Sequence, residues 1–168
     1  MISSDHPNLV RNNNAEGDKS NHNSQFSIFN SQFSIFNSQL KKTERIVSQK
    51  LIDELFAGGQ SHSLVAFPLR AVFMTQDLKT SSLQGFQSPV SILISVPKRR
   101  FKHAVDRNRI KRQVREAYRK HKALLADCLT DGQQLSIAFI WLSDRHLPSK
   151  EVGARMVTLL KRIAAQGR

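Results

Sequence analysis

The stretch that decides the reading of this chain is KRRFKHAVDRNRIKRQVREAYRKHK, Lys98–Lys122. It holds twelve Lys or Arg residues and two acids, Asp106 and Glu116. At about 100° per residue a helix sorts these side chains onto two faces. Ile110, Val114, Ala117 and His121 fall on one side, with Tyr118 at its edge. Arg107, Lys111, Arg115 and Arg119 form an i, i+4 row on the other, which Arg112, Asn108 and Arg109 extend. Like charges at that spacing repel by a few tenths of a kcal/mol per pair. A solvated surface helix ordinarily mixes its signs. A face that hardly does so calls for an external anion, and a phosphate backbone is one. Asn108, between two arginines, can offer a donor and an acceptor to a base edge or a 2′-hydroxyl.

Working outward, the spacing predicts a long helix over 104–126. Before it, Val90, Ile92, Ile94 and Val96 alternate with Ser91, Leu93 and Ser95, the period of a strand, which Pro97 ends. Further back, Leu64–Met74 reads as one strand with Phe67, Leu69, Ala71 and Phe73 on one side and Arg70 and Val72 on the other. Pro68 has no N–H to donate, so that strand is expected at an edge or to begin there. Gln76–Pro89 reads as a polar loop. Ser48 is a candidate N-cap for a first helix, with Val47 and Ile52 as a hydrophobic staple. Ile52, Leu55 and Phe56 share a face of it, and Gly58-Gly59 stops it. After the basic helix, Asp131-Gly132 marks a turn. Leu135, Ile137, Phe139 and Trp141 then line one side of another strand. Pro148 and Ser149 open a last helix with Ser149 as cap and Val152, Met156, Leu159 and Ile163 as its apolar stripe. The order helix–strands–helix–strand–helix is of α+β class.

Charge divides the chain of 168 residues in two. Residues 1–39 hold two bases and three acids; residues 40–168 hold 24 bases and 10 acids. The first part is rich in Asn, Ser and Gln and reads as a disordered, low-complexity extension. Within it NSQFSIF stands at 23–29 and again at 30–36. Two uncharged heptads are too few for a coiled coil, and no function is assigned to them. The formal net charge of +13 argues for an anionic partner, nucleic acid first and an acidic membrane surface second. No apolar run approaches the ~20 residues of a membrane helix, and no secretory signal is read at the N-terminus. The single cysteine, Cys128, makes neither an internal disulfide nor a metal cluster and reads as a buried thiol in a reducing cytoplasm.

With these residues in view, AVDRNRIKRQVREAYR resembles the signature of the bacterial ribonuclease P protein family. Its core is Arg107-Asn108-Arg109 followed by Lys111-Arg112 and Arg115-Glu116. ISVPKR before it is similar to the family's strand into a basic loop, although many members carry Ser at the position of Pro97. LKKTERIVSQKLIDELF and GQSHSLVAFPLRAVF resemble the family's opening helix and first strand. The resemblance covers about residues 40–165.

It implies a small α/β sandwich in which a left-handed β-α-β crossover houses the basic helix, an exception to the right-handed rule that periodicity does not reveal. It implies that Lys98, Arg99, Arg100, Lys102, Arg107, Asn108, Arg109, Lys111, Arg112, Arg115 and Arg119 contact ribonuclease P RNA. It implies a second site, a cleft for the single-stranded 5′ leader of precursor tRNA, with Ile52, Phe56, Phe67 and Arg70 as candidates. Many members carry Phe at the position of Ile52, so one stacking surface is missing here. For Phe56 and Phe67 a core role is equally open.

The chemistry agrees with a subunit that does not cut by itself. Phosphodiester hydrolysis by protein groups usually needs metal-binding carboxylates or a His acid–base pair. The acids here are scattered, His62, His103, His121 and His146 are dispersed, and there is no Gly-rich phosphate loop. In the family the RNA carries the active site with bound Mg²⁺, so no catalytic or metal-ligating residue is expected on this chain, and no obligate protein partner. The competing reading is a ribosomal or nucleoid-type basic protein with no catalytic partner. A DNA-binding regulator would need a helix and tight turn before Arg107, where a strand stands instead.

Overall fold

The computed structural model describes residues 40–77, 88–128 and 132–166. The expectations for residues 1–39, for most of the 76–89 loop, for Asp131 and for the Cys128 thiol lie outside the described residues. After a 3₁₀ turn at Lys42–Glu44 come α1 (Gln49–Ala57), β1 (His62–Ala66), β2 (Leu69–Asp77), β3 (Val90–Ser95), α2 (Ala104–His121), a 3₁₀ stretch Lys122–Cys128, β4 (Gln133–Trp141) and α3 (Ser149–Gln166). The four strands form one sheet in the order β1-β2-β4-β3. β4 pairs antiparallel with β2 and parallel with β3, so α2 is the crossover helix between parallel neighbours. The α+β class expected from the sequence is the class observed.

Register assigns the sheet's two faces. Leu64 opposes Ala71, Phe73 opposes Ile137, and Ile137 opposes Ile92. These point to the side covered by α2 and α3, where they meet Ile110, Val114, Tyr118, Val152, Met156, Leu159 and Ile163 in the main core. Val72, Met74 and Ala138 point the other way and pack under α1 against Ile46, Leu51 and Leu55. β2, β3 and β4 therefore bury both faces over part of their length, which their mixture of alternating and continuous apolar residues reflects, whereas β1 at the edge buries only Leu64.

Several local expectations are corrected. Leu64–Met74 is a hairpin, not one strand: the chain turns at Phe67-Pro68, whose peptide bond is cis, and Leu69 pairs back to Ala66. A type VI turn places a cis proline at its third position. Phe67 consequently sits in the turn, 56% exposed, instead of on the strand's inner face. On α1 the buried stripe is Leu51 and Leu55, one step round from Ile52 and Phe56. Val47 is 82% exposed and makes no staple; its neighbour Ile46 is the buried residue. Ser48 is the N-cap but its hydroxyl does not close on the helix, whereas Gly58 at φ +85° ends it as expected. α2 ends at His121, five residues before the expected Ala126, and continues as a 3₁₀ stretch. Tyr118, expected at the edge, is a core residue 1% exposed, and His121 is half-buried. The Tyr118 ring meets that of Phe139 at 5.9 Å. Ser149 is the first residue of α3, and its hydroxyl accepts from Gln113 Nε2 at 3.1 Å.

Candidate nucleic-acid interface

The basic loop comes directly off β3. Arg100 N donates to Pro97 O at 3.0 Å, closing a turn that leaves Lys98, Arg99, Arg100 and Lys102 exposed. Phe101 is the loop's anchor, 8% exposed in the main core and ring-to-ring with His146 at 5.0 Å. Asp106, in the first turn of α2, lies with Oδ1 within hydrogen-bond distance, 3.1 Å, of His146 Nε2. An acid there also suits the positive end of the helix dipole.

The residues of the basic row do not behave alike. Arg107 turns back on its own loop: Nη1 donates to the carbonyls of Phe101 at 2.9 Å and Lys102 at 2.6 Å. It fixes the loop's path into the helix. Asn108 and Arg109 are exposed beside it. One turn on, Arg112 is exposed while Lys111 and Arg115 are half-buried. Among the described residues neither Arg112 nor Arg115 has an acidic partner within ion-pair distance. Burial, and then the neighbouring cations Arg45 and Arg112, push the Arg115 guanidinium below its usual value. Arg119 is different again. Its Nε and Nη2 donate to both carboxylate oxygens of Glu116 at 2.8 and 2.7 Å, the bidentate geometry of a strong charged pair. That hydrogen bond holds the Glu116 carboxyl below the ordinary carboxylate range and raises Arg119 in return.

A shallow groove lined by Leu40, Arg112, Arg115, Glu116 and Arg119 runs along this face. The structure thus gathers Arg112, Arg115 and Arg119, while Arg107 leaves the row and the Lys98–Lys102 loop extends the basic surface from the N-terminal end of α2. Lys122, the last base of the stretch, is not on the surface at all. It is 3% exposed, and its Nζ donates to Glu44 Oε1 at 2.8 Å. No local pattern signals this pair, because its partners lie 78 residues apart.

Of the four other candidates, three lie on the opposite side of the sheet and Phe67 lies at its corner. Arg70 is exposed on β2 and its Nε donates to Ser63 Oγ at 2.8 Å across the hairpin. Ile52 is half-buried, and Phe56 is 46% exposed on α1. Phe67 stands at the hairpin tip, and Val65 on the edge strand is 51% exposed. Ile52, Phe56 and Arg70 belong to the α1 side of the sheet; Phe67 is at its corner. Neither Phe56 nor Phe67 is a core residue.

No group of three or more His, Cys, Asp or Glu residues comes together among the described residues, so a divalent ion finds no donor set there. No described helix is long and apolar enough to cross a membrane.

A helix-flanked mixed sheet whose crossover helix carries arginines that, like Arg112 and Arg115, have no ion-paired acid among the described residues defines an α+β protein with a basic face. The sequence profile of the family described as Ribonuclease P matches residues 40–164. The chain belongs to the ribonuclease P protein family. It is 39% identical over 126 residues to a ribonuclease P protein component of Porphyromonas gingivalis, covering 74% of this chain and 86% of that one. A ribonuclease P protein component of Chlorobium phaeobacteroides is 33% identical over 120 residues, 67% of this chain and 79% of the relative. The solved RNase P protein from Thermotoga maritima superposes with a TM-score of 0.51 at 21% identity, covering 71% of this chain and 96% of the other, which supports the fold. Membership makes the chain a component of a ribonuclease with an RNA partner and sets aside the ribosomal or nucleoid alternative.

Proposed function

We propose that this chain is the protein subunit of ribonuclease P that binds the catalytic RNA through the α2 face and the basic loop, and receives the 5′ leader of precursor tRNA on the α1 side of the sheet. Its role is to assist endonucleolytic removal of the leader, forming the mature 5′ end of tRNA in the cytoplasm. The observation that carries the reading is the set of exposed or half-buried arginines on α2 that have no internal acid. Folding does not neutralise Arg109, Arg112 and Arg115, so an RNA phosphate backbone is the partner that relieves their mutual repulsion.

On this reading the residues divide by task. Phe101 and Arg107 shape the loop, and Lys98, Arg99, Arg100, Lys102, Asn108, Arg109, Lys111, Arg112 and Arg115 meet the RNA. Arg119 does so while tethered to Glu116. Exposed Phe56 and Phe67 offer stacking surfaces to unpaired bases, and Arg70 a cation for the leader backbone. On this reading the Mg²⁺ ions and the bond-breaking step belong to the RNA and its substrate, as the family resemblance implies.

Reconstitution tests this. The RNA-free protein should leave precursor tRNA intact. Protein plus ribonuclease P RNA should cleave it at the mature 5′ end at a Mg²⁺ concentration where the RNA alone is slow. Metal-dependent cleavage by RNA-free protein would overturn the proposal.

A further inference from the structure

The segment that leads into α1 is held against α2 by more than its length requires. Leu40 packs on the main core and lines the basic groove. The 3₁₀ turn at Lys42–Glu44 brings Glu44 to Lys122, an ion pair of 2.8 Å with both side chains 4% exposed. Arg45 then runs alongside β3 as a parallel bridge to Ile92, with Ile46 N donating to Ile92 O at 2.9 Å. Arg45 is extended, at φ −101° and ψ 129°. In extended chain successive side chains leave opposite faces. Ile46 enters the core beneath α1, so Arg45 is delivered to the α2 side. It is exposed there, and among the described residues it has neither an ion pair nor a side-chain hydrogen bond.

We infer that Arg45 joins Arg112 and Arg115 in a phosphate-binding site for the RNA backbone, built across two elements and positioned by the buried Glu44–Lys122 pair. The inference deepens the RNA-binding reading and rests on it. Arg45 stands opposite Ile92, whose side chain lies in the core beneath α2, and among the described residues neither it, Arg112 nor Arg115 has an ion-paired acid; Glu116 beside Arg112 and Arg115 is already occupied by Arg119. Arg115 registers the closeness of both others in its depressed pKa, behind the effect of its own burial. A phosphodiester accepts paired hydrogen bonds from planar guanidinium forks and lowers the repulsion among them. Backbone pairing to β3 fixes where the Arg45 side chain leaves the chain before RNA arrives. Glu44 acts through position: it touches no ligand and fixes the turn from which Arg45 extends.

The test is a titration of full-length protein against a transcript of the ribonuclease P RNA over a series of salt concentrations. Arg45→Ala should weaken binding by about tenfold and lower the slope of log affinity against log salt by about 1, as expected for one lost phosphate contact. Arg45→Gln, which keeps the side chain's length, should do the same, and Arg45→Lys should keep the slope. Arg45→Ala and Arg115→Ala together should cost less than the two separate losses combined, because the groups share one phosphate. Lys161→Ala, on α3, should bind as the unaltered protein does. Thermal melts of the Arg45 variants should superpose, since the side chain is exposed. An Arg45→Ala or Arg45→Gln protein that binds within twofold of the unaltered chain with the same slope, while Arg109→Ala is weakened, overturns the site and leaves the RNA-binding reading standing. Salt-independent binding, with Arg109→Ala also inert, overturns that reading and the site together.

Discussion

The two faces of the sheet are finished differently. One is closed by two helices of 18 residues each, α2 and α3, and its apolar side chains are at or near zero exposure. The other is covered by α1 alone, a helix of 9 residues, and leaves Phe56, Val65 and Phe67 about half exposed. The closed face stabilises the protein and, by burying one side of α2, forces the charged side outward. The partly open face retains apolar surface that folding did not consume. Large aromatic groups left at the surface of a small protein are natural docking surfaces for something with a π-face of its own. On the proposed reading the closed face positions the contacts to the RNA subunit, and the open face is left for the leader.

The largest expected effect lies on the closed face. Phe139 is completely buried against Tyr118. Phe139→Ala should cost roughly 3–5 kcal/mol of stability by transfer and cavity effects together. Denaturant unfolding measures it, and a loss below about 1 kcal/mol would show that α2 and α3 do not close over the sheet as described.

Next comes the pair that ties the lead-in segment to α2. Lys122→Met leaves Glu44 buried without its cation, a change that typically costs about 3–5 kcal/mol when one partner of a buried pair is removed. Changing both residues to apolar ones should recover most of that loss. Equal losses in the single and double variants would mean the pair is not coupled.

On the charged side of α2, Arg109→Ala should weaken RNA-subunit binding by roughly 1–3 kcal/mol, if its hydrogen bonds to phosphate are charge-assisted, and leave the melting temperature unchanged. The open face gives the converse of Phe139. Phe56→Ala should alter stability by less than about 1 kcal/mol, because the ring is half exposed. It should weaken precursor tRNA binding by about 1 kcal/mol or more through lost base stacking. A stability loss comparable with that of Phe139→Ala would place Phe56 in the core and dissolve the contrast between the faces.

The smallest effect is at Glu116. Glu116→Gln frees Arg119 and removes an anion from the groove, so RNA binding should tighten by about twofold to threefold, the scale of an exposed ion pair. The pH sign follows from the same contact. Glu116 is held below its ordinary pKa by Arg119, so the pair is intact above the ordinary carboxylate range. It is lost only as pH falls through the depressed value. Weaker binding by the Gln variant at neutral pH would show that Glu116 orients Arg119 usefully instead of restraining it.

Much of this was legible in the residues themselves. The alternation in Val90–Ser95 and Gln133–Trp141, the stripe of α3, and the glycine that ends α1 are local signals, and local backbone sterics and periodicity determine their outcome. So is the apolar face of α2, apart from the exchange of His121 for Tyr118, which depends on what lies opposite. In the hairpin region the alternation of Leu69, Ala71 and Phe73 against Arg70 and Val72 holds, β1 is an edge strand and β2 begins just after Pro68; the single strand becomes two and Phe67 leaves the sheet, because the chain turns at Phe67-Pro68.

By itself, then, the sequence determined the element order, the α+β class, the two-faced basic helix and the family signature, because each depends on spacing within a few residues. Tertiary structure alone decided which of the cations are free. Arg107 is taken by two backbone carbonyls, Arg119 by Glu116 and Lys122 by Glu44, whereas Arg45, outside the signature, is carried to the α2 side of the sheet by its bridge to Ile92. Formal charge is carried by each residue wherever it stands; its availability to a partner depends on neighbours that only folding supplies.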